Sequence, residues 1–286
     1  MQPVLFRLGH FAITTYGLLL ATAVVTAISL FARALKNAGG DPDDAWSVGT
    51  WALIGGIVGA KLYYVILHQD PGALLSRSGL VWYGGLLGGA AAAALVIRWK
   101  GLPFLHTLDA LAPAAALGHA IGHIGCFFSG DSYGLPSTLP WAIAFPQGMP
   151  PSTAGNLRNQ FGVEIPSTVP DSALLTVHPT MLYSALILGA VAALLWWTLR
   201  RRPPAGVAFG LYLLLAGTER FLIEFLRAKD DRFLAGLTTA QVIAALLIGA
   251  GGWLLVTRLC AAGRPPTEAA DTSGTPAASV PEAGTA

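Results

Sequence analysis

Seven stretches of this chain hold enough apolar residues in succession to cross a lipid bilayer, and that restricts the fold more than any other feature. They lie near residues 14–35, 47–68, 80–99, 106–128, 178–199, 205–226 and 237–259, and a spanning helix needs roughly 20 residues. Where no water is present every backbone N–H and C=O must be paired within the segment, so such stretches fold as helices. Only 11% of the 286 residues are charged and 54% are hydrophobic, against about 25% charged in an ordinary soluble domain. The expected fold is therefore an all-α membrane protein: seven transmembrane helices, N-terminus outside, C-terminus cytoplasmic. A long external loop, residues 129–177, would join the fourth and fifth.

Most of the many glycines and alanines read as helix packing. Gly55 with Gly59, and Gly84 with Gly88, have the small-xxx-small spacing that lets membrane helices approach closely. The N-terminus has a single basic residue, Arg7, and no small-residue cleavage site, so it reads as a retained first helix and not a removed signal peptide. Residues 1–262 read as one transmembrane domain. Residues 263–286 hold one large apolar residue, Val280, and read as a disordered cytoplasmic tail. Two cysteines, Cys126 and Cys260, cannot build a disulfide framework. A net charge of +2 gives no reason to expect nucleic acid.

Lys and Arg set the orientation. With the N-terminus outside, the inner side holds Arg33, Lys36, Arg98, Lys100, Arg200, Arg201, Arg202, Arg258 and Arg264, and the outer side Arg7, Arg77, Arg158, Arg227, Lys229 and Arg232. The excess favours this topology. It also gathers the unusual polar residues at the outer ends of the stretches: Tyr16, Lys61, Tyr83, His123, Cys126, Asp131, His178, Arg220, Glu224 and Arg227. Ionisable groups inside a membrane are costly and mark functional sites, so an active region is expected toward the outer leaflet.

Four segments carry the chemistry. In "TERFLIEFLRAKDDR" (218–232) Arg220, Glu224 and Arg227 are spaced i, i+4, i+7, which places them on one helix face. Two guanidiniums beside one carboxylate suit a phosphate clamp, since arginine is planar and always charged; the alternative is a structural ion pair with snorkelling at the interface. In "SGLVWYGGLLGG" (78–89) Trp82 and Tyr83 fit either an aromatic belt or a site. In "VHPTMLYSA" (177–185) His178 precedes Pro179 at a helix start, and fits a capping position as well as a functional one. "GHAIGHIGCFFSGDSYG" (118–134) places His119, His123 and Cys126 on one face. A zinc site is disfavoured there because no HExxH or CxxC accompanies them, with only His178 and more remotely His10 and His68 nearby. A hydrogen-bonding lining to a polar cavity is preferred.

Taken together and in order, these segments resemble the phosphatidylglycerol–prolipoprotein diacylglyceryl transferases of bacterial inner membranes. "ITTYGLLLA" (13–21) and "LPWAIAFPQG" (139–148) add to the likeness, which runs over roughly residues 10 to 260. The resemblance implies a transferase of lipoprotein biosynthesis that moves the diacylglyceryl unit of phosphatidylglycerol onto the lipobox cysteine of a preprolipoprotein. It implies no metal and no soluble cofactor. Arg220 matches the family's essential arginine, with Glu224 as its partner, and Tyr16, Asp131 and Gly134 match other functional positions. Catalytic roles would fall to Arg220, Tyr83, His123 and Glu224. Substrate binding would fall to Tyr16, Cys126, Asp131, Gly134, His178 and Arg227.

Four positions depart from the family pattern. Many members have Arg at His123, Asn at Cys126 and His at Tyr83, and some have an aromatic hydroxyl at Ala216. His123 has an ordinary pKa near 6.5, so it could bind phosphate when charged or act as the base when neutral. The alternative reading is a divergent paralogue, either binding or transporting phospholipid or serving another acceptor.

Overall fold

The protein is described by a computed structural model over residues 4–8, 11–69, 71–75, 81–229, 232–234 and 236–262. The tail 263–286, His10 and the first residues of the 78–89 motif lie outside the described residues, as does the side chain of Trp82.

Among the described residues, a helix of 17 or more residues lies over each apolar stretch: α1 (Thr15–Asn37), α2 (Pro42–His68), α3 (Trp82–Trp99), α4 (Phe104–Ser129), α6 (Thr180–Arg200), α7 (Val207–Ile223) and α8 (Thr239–Ala262). Five of these, α1, α2, α4, α6 and α8, are long and apolar enough to cross a membrane, and α3 contributes a shorter apolar segment. α7 has only 17 residues and carries Glu219 and Arg220. Large apolar side chains such as Leu186 and Ile66 stand more than 70% exposed, a distribution that only a lipid surround makes favourable. This is a multi-pass membrane protein.

The fold is all-helical in class, with small additions outside the helices. Three two-stranded antiparallel sheets accompany the helices: β1 (Val4–Leu8) with β2 (Phe11–Thr14), β3 (Ile143–Ala144) with β4 (Thr176–Val177), and β5 (Arg232–Leu234) with β6 (Leu237–Thr238). The segment 129–177 is more than a loop. It contains a short helix, α5 (Ala154–Phe161), capped by Thr153 and stopped by Gly162 in the left-handed region. Arg158 on α5 pairs with Asp171 and donates to the carbonyls of Pro166 and Val169, fixing the return strand of chain. Tyr133, Phe145, Leu157 and Val177 bury one another with Met181 and Ala228, so this region folds as a cap with its own core at one end of the bundle.

α4 is the central helix and packs on α1, α6 and α7. The closest approach is elsewhere, between α2 and α3. A methyl group added at Gly59 would strike the carbonyl of Gly84, and one at Gly55 that of Gly88, so the glycine spacing read in the sequence does bring two backbones together. Two links tie down the end of the bundle away from the cap. Lys100 pairs with Asp44 at 2.7 Å. Asp109 of α4 accepts from the N–H groups of Gly206 and Phe209 at 2.6 and 2.8 Å, serving the first turn of α7 as a cap supplied by a different helix.

Candidate active site

The charged cluster forms where α7 ends. Arg220 Nη2 reaches Glu224 Oε2 at 2.7 Å, and Arg227 Nη1 reaches the same oxygen at 3.4 Å. The expected single helical face needs revision at its far end. α7 stops at Ile223, residues Glu224–Leu226 tighten into a 3₁₀ turn, and Arg227 is extended at φ −79°, ψ 139°. The cause is the cap, because Leu226 C=O and Arg227 are captured by Leu135 N–H and the Gly134 bridge. Even so, Arg227 folds back onto Glu224. The Glu224 side chain is 1% exposed, against 26% for Arg220 and 18% for Arg227. The carboxylate is the buried pivot and the guanidiniums face outward from it.

Gly134 is where three segments meet. Its N–H donates to His178 C=O at 2.8 Å, and His178 N–H donates to Leu135 C=O at 3.0 Å. A β-carbon at Gly134 would collide with Leu226 O and with the side chains of His178 and Thr180. No other residue fits there, so Gly134 acts through its lack of bulk.

α4 supplies the opposite wall. His119 and His123 stack with ring centroids 4.8 Å apart, as i, i+4 neighbours can. Arg220 and Arg227 are the charged groups that bear on His123. Asp131 N–H donates to Cys126 C=O at 3.3 Å, and both side chains bear electrostatically on Tyr16 of α1. Gly125 makes room for that ring, since a β-carbon there would stand 3.2 Å from Tyr16. Tyr83, at the start of α3, bears on Arg220. The described residues thus bring Tyr16, Tyr83, His123, Cys126, Asp131, Arg220, Glu224 and Arg227 to one end of the bundle.

Burial raises the Asp131 carboxyl pKa, against the lowering influence of nearby Cys126 and Ser132 and the charge of Arg227. Tyr133 in the cap is pushed up to about 12 by burial, and its hydroxyl donates to the carbonyls of Pro150 and Pro151 at 2.9 and 3.2 Å. Three buried polar atoms at this end have no hydrogen-bond partner among the described residues: His123 Nδ1, Asp131 Oδ1 and Glu224 Oε1. Buried polar atoms are otherwise almost always paired, so three in one cluster point to a place where a ligand's polar groups belong.

His178 is placed differently. Its Nδ1 lies 3.3 Å from the Tyr183 hydroxyl, which accepts from Trp141 Nε1 at 2.7 Å. The side chain therefore turns toward α6 and the cap, and its backbone is what touches Gly134. Glu219 is marked by no motif spacing in the sequence. It is buried, accepts from Ser184 Oγ, and bears on Arg220. The two guanidiniums thus have two carboxylates near them, not one. Glu219 and Tyr183 also border an apolar groove of about 430 Å³ between α6 and α7, with Leu222 and Leu226. No group of three or more His, Cys, Asp or Glu suited to a metal occurs among the described residues.

Fold and cluster together define a multi-pass membrane protein with a buried, arginine-bearing polar site at one end. The sequence model of the prolipoprotein diacylglyceryl transferases matches residues 3–257. Similar proteins include the phosphatidylglycerol–prolipoprotein diacylglyceryl transferase of Symbiobacterium thermophilum, 34% identical over 96% of this chain and 97% of its own length. Those of Clostridium tetani and Synechococcus elongatus are 31% and 33% identical over 87% of this chain, covering 94% and 84% of their lengths. The chain belongs to the prolipoprotein diacylglyceryl transferase family, and it is a transferase.

Proposed function

We propose that the chain transfers the diacylglyceryl unit of phosphatidylglycerol to the lipobox cysteine thiol of preprolipoproteins. The sulfur attacks the glyceryl carbon next to the phosphate, a C–S bond forms and the C–O bond breaks. Glycerol phosphate leaves with the bonding electrons, and the thiol proton passes to a base. The observation that carries this reading is Glu224 holding Arg220 and Arg227 on one buried oxygen beside the unpartnered His123 Nδ1, in a chain of this family.

Arg220, with Arg227, neutralises the phosphate in the substrate and as it departs, the electrostatic role that preorganised charges fill best. Glu224 fixes both guanidiniums. A thiol with an ordinary pKa near 8.5 is mostly protonated at neutral pH, so a base is needed, and His123 and Tyr83 are the candidates on this wall. Tyr16, Cys126 and Asp131 line the headgroup position, Gly134 keeps the cap close, and His178 positions the cap through Tyr183. The apolar groove between α6 and α7 suits acyl chains. All seven long helices cross a bacterial inner membrane, N-terminus outside, with the cluster toward the outer leaflet. Residues 1–262 form the transferase domain and 263–286 a cytoplasmic tail.

Complementation of a strain depleted of its own diacylglyceryl transferase tests the reading. Rescue, read as disappearance of unmodified prolipoprotein, is expected; accumulation at normal expression would overturn it. His123→Arg should match or exceed the parent in the same assay, and a clear loss would give the histidine a role of its own.

A further inference from the structure

At the end of the bundle away from the Arg220 cluster, the helices leave a second recess. α1 and α6 both pack on α4, and between them lies a cavity of about 580 Å³ bordered by Arg33, Leu117, Gly189, Ala193 and Arg200. It adjoins a chamber of about 720 Å³ nearer the helix ends, with Asn37, Trp196 and Arg200 in both walls.

The two parts differ in chemistry. Arg200 is the last residue of α6, and Gly189 lies eleven residues earlier, about 16 Å deeper at 1.5 Å per residue. The groove therefore runs from the helix ends far into the hydrocarbon region. It is open at depth, since a β-carbon at Gly189 would meet nothing within 4 Å. At the mouth, neither Arg33 nor Arg200 has an ion-pair or hydrogen-bond partner among the described residues. The carboxylate in the outer chamber, Asp109, is committed to the amides of Gly206 and Phe209.

We propose that this recess binds one anionic phospholipid of the leaflet opposite the candidate active site. Its phosphate lies between Arg33 and Arg200, and one acyl chain lies over Ala193 and Gly189. Guanidinium forks match phosphate oxygens in geometry and charge. Basic residues at helix ends attract anionic lipids in any membrane protein. What distinguishes this pair is the chain-length groove directly beneath it. A free phosphate would use the arginines and leave the groove without an occupant. The bound lipid bridges α1 and α6.

The test uses the full chain in phosphatidylcholine vesicles containing a minor fraction of acyl-brominated phosphatidylglycerol. Trp196 lines both parts of the recess. The quenching lost in a Trp196→Phe variant therefore reports this end of the molecule and not the other. Brominated phosphatidylglycerol should quench Trp196 more than brominated phosphatidylcholine at the same mole fraction. Arg33→Gln with Arg200→Gln should raise the half-quenching fraction about tenfold per arginine, from the usual worth of a charged hydrogen bond. Gly189→Leu keeps both charges, fills the groove and favours the helix; it should raise the half-quenching fraction too. Equal quenching by the zwitterionic lipid would overturn the proposal. So would an effect of the arginine pair with none from Gly189→Leu, which would reduce the site to surface attraction. Displacement of the brominated lipid by inorganic phosphate would assign the arginines to a free anion and overturn it equally.

Discussion

Both ends of this helix bundle carry arginines at helix termini, and the two ends hold them in opposite ways. At the capped end Arg220 and Arg227 converge on one buried oxygen of Glu224, with Glu219 close by. At the other end Arg33 and Arg200 border a cavity, and no carboxylate among the described residues holds them. A guanidinium fixed by a buried acid is preorganised and keeps its geometry while charge develops on a substrate, the condition for electrostatic catalysis. An unpaired guanidinium at a cavity mouth adapts to a resident ligand. On the proposed readings, the same residue type would serve chemistry at one end and anchorage at the other.

The sharpest way to break this comparison is to remove arginines from each end in turn. Arg220→Gln should lower diacylglyceryl transfer on the order of 10²–10³-fold or more while the protein still inserts, the scale of losing a key preorganised charge. Arg33→Gln with Arg200→Gln should leave transfer within a small factor of the parent. Comparable losses at both ends would show that the division of labour is wrong. Glu224→Gln comes next. Leaving two guanidiniums without their buried partner should cost about 3–5 kcal/mol, read as a lowered melting temperature in detergent together with weaker activity. Asp109→Asn should cost less, about 1–2 kcal/mol, because it removes a charged cap from α7 without leaving a charge behind.

The smallest effect concerns pH. Burial raises Asp131, so between the unfolded carboxylate value, about 3.9, and the raised folded value the native state binds more protons than the unfolded one. Stability therefore falls as pH rises through that window and does not recover above it. Asp131→Asn should flatten this decline, and denaturation series at stepped pH would measure it. An unchanged slope would separate Asp131 from the buried polar set.

The long helices could be read from sequence because a bilayer fixes their length and polarity. Their limits depended on finer signals. α2 starts at Pro42, five residues before the apolar stretch, because Asp41 caps it and proline suits a first helical position. The cluster was legible where the helical period puts groups together, as for Arg220 with Glu224 and His119 with His123. Glu219 is not legible from that period, because it is one residue from Arg220 and projects from a different side of α7, toward Ser184 of α6. The link from His178 through Tyr183 to Trp141 joins parts of the chain far apart in sequence, so no spacing announces it. The cap core was hidden too, since Tyr133 and Phe145 sit in a segment without regular periodicity.

The carboxylate that caps α7 stands 97 residues ahead of Gly206 in the chain. During synthesis α4 emerges first, so when the opening turn of α7 leaves the ribosome its hydrogen-bond acceptor already exists. α7, with 17 residues, is the shortest of the seven long helices and carries Glu219 and Arg220. Its placement is thereby guided by a neighbour made earlier, and the order of translation becomes part of how Arg220 is delivered to its depth.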